Sequence, residues 1–235
     1  HSLNIPLVTT QFANDLVPFD DAVYVGKPGL RGDRAGNFAV QTADVIVTLG
    51  TSLHLSTIGY EAVDFAPDAY KIVIDVDKAV LEKNSSFSQL QIHADVATAI
   101  SEIGERLSGF RFEENKWVKR LRLIKEKFPV INEGHVRNAD EINPYYFIDT
   151  FSDVLQGNDI IVTDSGSLYY ITGQTFRAKK GQRMIISGAL GSMGYALPAA
   201  IGASVASPEK RVICLTGDGS MQMNSQELQT VSNYK

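Results

Sequence analysis

Residues 211–230 read RVICLTGDGSMQMNSQELQT, and this stretch decides the fold. Arg211–Thr216 (RVICLT) is a short, β-branched apolar run of strand length. Gly217-Asp218-Gly219-Ser220 follows at once, and Ser225–Asn233 then reads as a helix. A strand, a tight Gly-rich turn and a helix in succession are the unit of a parallel sheet with helices on its faces. Such a turn lets backbone N–H groups approach a ligand closely, and the helix N-terminus adds partial positive charge that favours an anion. Asp218 lies between the two glycines. A carboxylate repels a phosphate, but it holds one through a hard cation such as Mg²⁺ that binds oxygen on both sides. The pattern therefore points to a metal-bridged diphosphate, with Asp218 as the metal ligand. The plain alternative is an ordinary Asp-Gly turn, which three residues alone do not exclude.

Upstream, Met184–Pro208 carries no charged residue and is long enough to span a bilayer. Its glycines at 188, 191, 194 and 202, Pro198 and four serines argue instead for a Gly-rich loop running into a buried helix, Tyr195–Ala206. Pro144–Leu155 has helical spacing with proline in the first turn. Asp159–Thr163 (DIIVT) is a strand, ending in Asp164-Ser165-Gly166-Ser167, and Met184–Ser187 is a further apolar run.

The first half has the same texture. Ile5–Thr9, Asp44–Leu49, Lys71–Val76 and Leu90–His93 are strand-like, and Val96–Leu107 has helical spacing. Glu113–Lys127 is a charged, amphipathic helix carrying the single Trp117, and Phe128–Asp140 turns polar. The expected organisation is α/β, with two doubly wound parallel-sheet domains, both apparently incomplete. The expected domains are 1–110 and 141–235, joined by a linker helix and loop at 111–140.

Composition narrows the classes. Hydrophobic residues make up 44% of 235 residues and charged residues 21%, which excludes wholesale disorder. Acidic residues (27) outnumber Lys and Arg (22), the opposite of a nucleic-acid binder. The single cysteine, Cys214, precludes an intrachain disulfide and suits a reducing, cytoplasmic setting. Four scattered histidines show no zinc-site spacing. His54, after a strand end, reads as a loop histidine or a ligand-site residue.

Two extended motifs carry a resemblance. Ser187–Ala203 (SGALGSMGYALPAAIGA) followed by the 211–230 stretch resembles the cofactor-binding domain of thiamine-diphosphate-dependent enzymes, in the acetolactate-synthase-like branch. IPLVTT, the Gly-rich run Val25–Gly36, TADVIVTLGTSL and KIVIDVD resemble that family's central domain, so the likeness covers nearly the whole chain. The resemblance implies thiamine diphosphate and Mg²⁺ as cofactors, with Asp218 as magnesium ligand. It places Gly217, Gly219 and Ser220 at the diphosphate, with Gly166 and Ser167 in a second diphosphate-contacting turn. Gly191 falls where a carbonyl accepts from the aminopyrimidine. Met193, preceded by Ser192, falls where an apolar side chain holds the cofactor bent.

The implied activity is carboligation of a 2-oxo acid, pyruvate foremost, by a homo-oligomeric parent enzyme, with no nucleic-acid or membrane partner. A 2-oxo acid or oxalyl-thioester decarboxylase is the nearest alternative. A non-catalytic nucleotide-binding module is the alternative of another class.

The likeness has gaps. The family's second metal ligand, an Asn well beyond GDG, has no counterpart before Lys235, and Asn224 and Asn233 come too early to replace it. The activating glutamate of the family's N-terminal domain also has no counterpart, so no catalytic residue is assigned. The chain is therefore expected to be part of a longer enzyme, inactive alone. FAD is a possible ligand of the central domain, with Arg31, Arg34, Asp75, Asp77 and Asp95 near its expected place. The arginines that follow the Leu49 strand in flavin-bearing relatives are missing, Gly50-Thr51-Ser52-Leu53-His54 standing there instead.

Overall fold

The protein is described from a computed structural model, which covers residues 3–113, 116–135, 141–188 and 190–234. The chain forms two compact units. The first contains residues 1–10 and 25–129, and the second contains 11–24 and 130–235.

In the first unit, β1 (Leu7–Val8) pairs with β2 (Tyr24–Gly26), and α1 (Arg34–Gln41) follows. Then come β3 (Val45–Leu49), α2 (Leu55–Ile58), β4 (Tyr70–Asp75), α3 (Lys78–Asn84), β5 (Leu90–His93), α4 (Val96–Arg106) and α5 (Lys116–Lys127). β3, β4 and β5 form a parallel sheet in sequence order. Its core joins Val73 of β4 to Val40, Leu53, Phe65, Leu81 and Phe87. The charged helix α5 buries one stripe. Leu121 is 1% exposed among Val25, Ala35 and Ala39, and Trp117 Nε1 donates to Thr42 Oγ1 at 2.8 Å.

The helix starts of this unit follow from its aspartates. Asp33, Asp77 and Asp95 cap α1, α3 and α4, each accepting a backbone N–H that the first turn cannot satisfy by itself.

In the second unit, α6 (Pro144–Val154) is capped by Asn143 and has proline in its first turn. It leads into β6 (Ile160–Thr163), α7 (Ser167–Thr175), β7 (Arg183–Ile186), α8 (Ala196–Ala206), β8 (Val212–Leu215), α9 (Asp218–Met223) and α10 (Glu227–Tyr234). The strands are parallel in the order β7-β6-β8. β6 is central and buried throughout, which accounts for its unbroken apolar run. Its side chains alternate between faces. Ile161 packs with Ile148, Leu155, Ile171 and Phe176 on one side, while Ile160 and Val162 meet Ala196, Ala200 and Ala203 of α8 on the other. The alanines let α8 lie close to the sheet.

The segment 11–24 packs within this unit. Asn14 Nδ2 donates to Gly173 O at 3.2 Å, and Asp15 accepts the Met184 N–H at 2.8 Å on strand β7. At the start of β6, Asp159 takes both nitrogens of Arg211, at 2.9 and 2.5 Å, and Arg211 holds its carboxyl below the usual range.

The fold is thus α/β, with parallel sheets flanked by helices. Within the uncharged stretch 184–208 lie most of β7 and the eleven-residue α8. Among the described residues no helix is long and apolar enough to cross a membrane.

Candidate functional site

The order β7-β6-β8 sends one crossover to each side of β6. The C-terminal ends of β6 and β8 therefore flank a topological switch point, where open parallel sheets hold ligands. Segments 164–167 and 216–218 leave there, and residues 190–195, which lead from the β7 side into α8, meet both.

Gly217 and Asp218 leave β8 directly into α9, which no side chain caps. Asp218 is exposed, and among the described residues no hydrogen bond or ion pair engages its carboxylate. Gly166 and Ser167 start α7 next to it on the neighbouring strand, both exposed and likewise uncapped by a side chain. Gly166 has φ +70°, ψ −142°, a conformation that favours glycine. These two helix starts contrast with the carboxylate-capped helices of the first unit. Their first-turn N–H groups have no intrahelical acceptor, which suits an incoming anion.

Residues 190–195 lie against the turn around Gly219. Gly191 and Gly194 both have positive φ, +58° and +80°. Met193 is half exposed, and its Cε lies 3.3 Å from where a Cβ on Gly219 would sit. Met193 thus reaches the GDGS turn at Gly219. Ser192 is exposed and its N–H donates to Ser187 Oγ at 2.9 Å. Ser220 is buried, and its side chain helps to hold the Asp164 carboxyl low.

Two residues that sequence reasoning left without a role join these loops. Asp164, fully buried at the end of β6, accepts from Ser165 N (2.8 Å), Gly194 N (3.0 Å), Ala196 N (3.0 Å) and Thr216 Oγ1 (3.2 Å). Burial works to raise its pKa, but the hydrogen bonds outweigh it and hold the carboxyl below the ordinary range. Asn224 Nδ2 donates to Gly194 O at 2.6 Å. The signal for Asp164 was its place directly after the central strand; nothing in the local sequence pointed to Asn224.

Family descriptions match both parts of the chain. The family description "Thiamine pyrophosphate enzyme, central domain" matches residues 1–103, and "Thiamine pyrophosphate enzyme, C-terminal TPP binding domain" matches residues 164–235. The chain belongs to the thiamine pyrophosphate enzymes. It is 35% identical over 230 residues to an acetolactate synthase large subunit of Lactococcus lactis, covering 98% of this chain and 39% of that protein. It is 31% identical to the acetolactate synthase isozyme 1 large subunit of Escherichia coli, covering 97% of this chain and 39% of the relative. The chloroplastic acetolactate synthase of Arabidopsis thaliana is 34% identical, with 97% of this chain and 34% of that protein covered. The chain therefore spans about two fifths of the length of these relatives.

The donor set around the switch point fits a magnesium-bound diphosphate: an unengaged carboxylate on one turn, with uncapped helix starts on two adjacent strands. Among the described residues no cluster of three or more His, Cys, Asp or Glu forms an all-protein metal cage.

The first unit does not fit a flavin dinucleotide in the same way. Asp33 already accepts the N–H groups of Lys27 (2.8 Å) and Gly36 (2.6 Å), the latter in the first turn of α1, and its carboxylate disfavours an anion there. Asn37 Oδ1 accepts from Gly29 N and Ser56 O from Leu30 N, at 2.8 and 2.9 Å. Asp75 accepts the Asp77 N–H, and Asp77 and Asp95 cap helices. Arg34 stacks over the Phe128 ring at 5.1 Å. His54 caps α2, its Nδ1 accepting from Ser56 N at 3.2 Å.

Proposed function

We propose that the protein binds thiamine diphosphate with Mg²⁺ at the C-terminal ends of β6 and β8 and serves carboligation of a 2-oxo acid, with pyruvate as donor. Asp218 carries the reading: an exposed, unengaged carboxylate at the end of β8, inside the matched cofactor domain and next in sequence to Gly219, which Met193 approaches. The acetolactate synthase relatives support the reaction class.

In this reading Asp218 binds the magnesium ion, and the N–H groups of Gly219 and Ser220 face the diphosphate from the start of α9. Gly166 and Ser167 offer a second set from α7. Met193, flanked by Ser192, wedges the apolar part of the cofactor, and Gly191 offers its carbonyl. When bound, the cofactor supplies a nucleophilic carbon and then an electron sink for the decarboxylated substrate. The residues here bind and orient, fixing the depth of the reacting ring by anchoring its diphosphate. The Gly-rich run of the first unit is engaged internally, so FAD has no part in this proposal. A homo-oligomeric assembly fits the exposed apolar side chains near the site, such as Leu190 at 91%.

Asp218→Asn tests the reading. Removing a charged oxygen ligand should weaken Mg²⁺-dependent thiamine diphosphate binding about tenfold or more, read by calorimetry. Equal affinity in both proteins removes Asp218 from the metal site. With pyruvate, the full protein should form acetolactate; aldehyde and CO₂ alone would assign it to a decarboxylase.

A further inference from the structure

We infer that Asp164 is the positioning residue that locks the Met193 loop onto the β8–α9 turn, so that both halves of the proposed cofactor site keep one spacing. This rests on the cofactor reading above. A carboxylate has about four lone-pair sites and can accept from several donors at once. Asp164 uses them on three different loops. Ser165 belongs to its own turn, Gly194 and Ala196 to the segment that leads into α8, and Thr216 to the turn before Asp218.

Among the described residues no lysine or arginine pairs with it, so its buried charge is held by hydrogen bonds alone. Buried charges without a counter-ion are costly, and one saturated with donors marks a site whose geometry is over-determined. The bonds come from Gly194, which follows Met193, and from Ala196, the first residue of α8. They set where the Met193 side chain rests over Gly219. Asn224 holds the same glycine from its other side, through the carbonyl. Residue 194 is thus pinned by both backbone polar groups, one to β6 and one to the end of α9.

Asp164→Asn is the discriminating change. It keeps the shape but turns one oxygen into an N–H donor. Whichever way the amide lies, one pair of donors loses its acceptor: Ser165 N with Gly194 N, or Ala196 N with Thr216 Oγ1. In the full protein without ligand, amide exchange at 194–196 should accelerate about tenfold, with far-UV circular dichroism unchanged. Thiamine diphosphate affinity at saturating Mg²⁺ should fall about tenfold, and the near-UV signal of the bound cofactor should change.

Thr216→Val removes a single donor and retains the rest, so it should shift exchange and affinity in the same direction by a few-fold. It decides the question if Asp164→Asn does not fold. Normal exchange and affinity in the folded variant overturn the proposal alone. Wild-type protein that takes up no thiamine diphosphate with Mg²⁺ overturns the cofactor reading and this proposal with it.

Discussion

Gly194 offers a sharp test of how the site is built. Its φ is +80°, a region where a side chain costs about 1–2 kcal/mol. Space is also lacking: a Cβ there would lie 2.8 Å from Asn224 Nδ2 and 3.0 Å from Met223 Cβ. Asn224 is not free to swing aside, because the same nitrogen donates to Gly194 O at 2.6 Å. Displacing it forfeits a hydrogen bond of about 0.5–1.5 kcal/mol. Gly194→Ala should therefore destabilise the second unit by about 2–3 kcal/mol. Gly202 is the control. It lies inside α8 with nothing within 4 Å of where a Cβ would sit, so Gly202→Ala should stabilise by about 0.5–1 kcal/mol. Cys214 is the only cysteine and sits in β8. Its alkylation as a function of urea therefore reports opening of this sheet separately from the first unit. The two variants should move the labelling midpoint in opposite directions. Shifts of the same sign, or a Gly194→Ala effect under about 0.5 kcal/mol, refute the reasoning.

Two further outcomes concern the first unit. Burial pushes the Lys27 ammonium down to about 8, with Lys125 adding to the effect and Asp33 opposing it. The folded chain then releases this proton before the unfolded chain does, so the group's cost to stability is full below pH 8 and fades up to about 10.4. Carbon-NMR titration of labelled lysines should show one resonance titrating near 8 that Lys27→Met removes; all lysines titrating near their ordinary value would contradict it. Because Asp33 already occupies the start of α1, FAD should give no saturable flavin-fluorescence quench with the purified protein. A saturable quench that survives Asp33→Ala as well would place flavin elsewhere.

The sequence alone determined the α/β class, because apolar runs of strand length separated by helical spacing have few other solutions. β6 was legible as DIIVT and β8 as RVICLT, since strands buried on both faces are nearly all apolar. It also drew attention to Gly217, Asp218 and Gly219, because a tight Gly-rich turn after a parallel strand suits a ligand, whereas Met193 was picked out only by the family resemblance. The short helices α1, α3, α7 and α9 were not legible, as their small, polar or Gly-bearing stretches carry little periodicity of their own. That Asp33, Asp77 and Asp95 serve as caps was equally hidden, because a capping aspartate and a ligand-facing one look alike until the N–H groups are placed. Only the tertiary structure decided that residues 11–24 pack within the second unit, and that Thr216 gives its hydroxyl to Asp164. Those outcomes depend on which strand ends meet. The order β7-β6-β8 brings Asp164, Gly194 and Thr216 together across long stretches of chain, and no local pattern encodes that meeting.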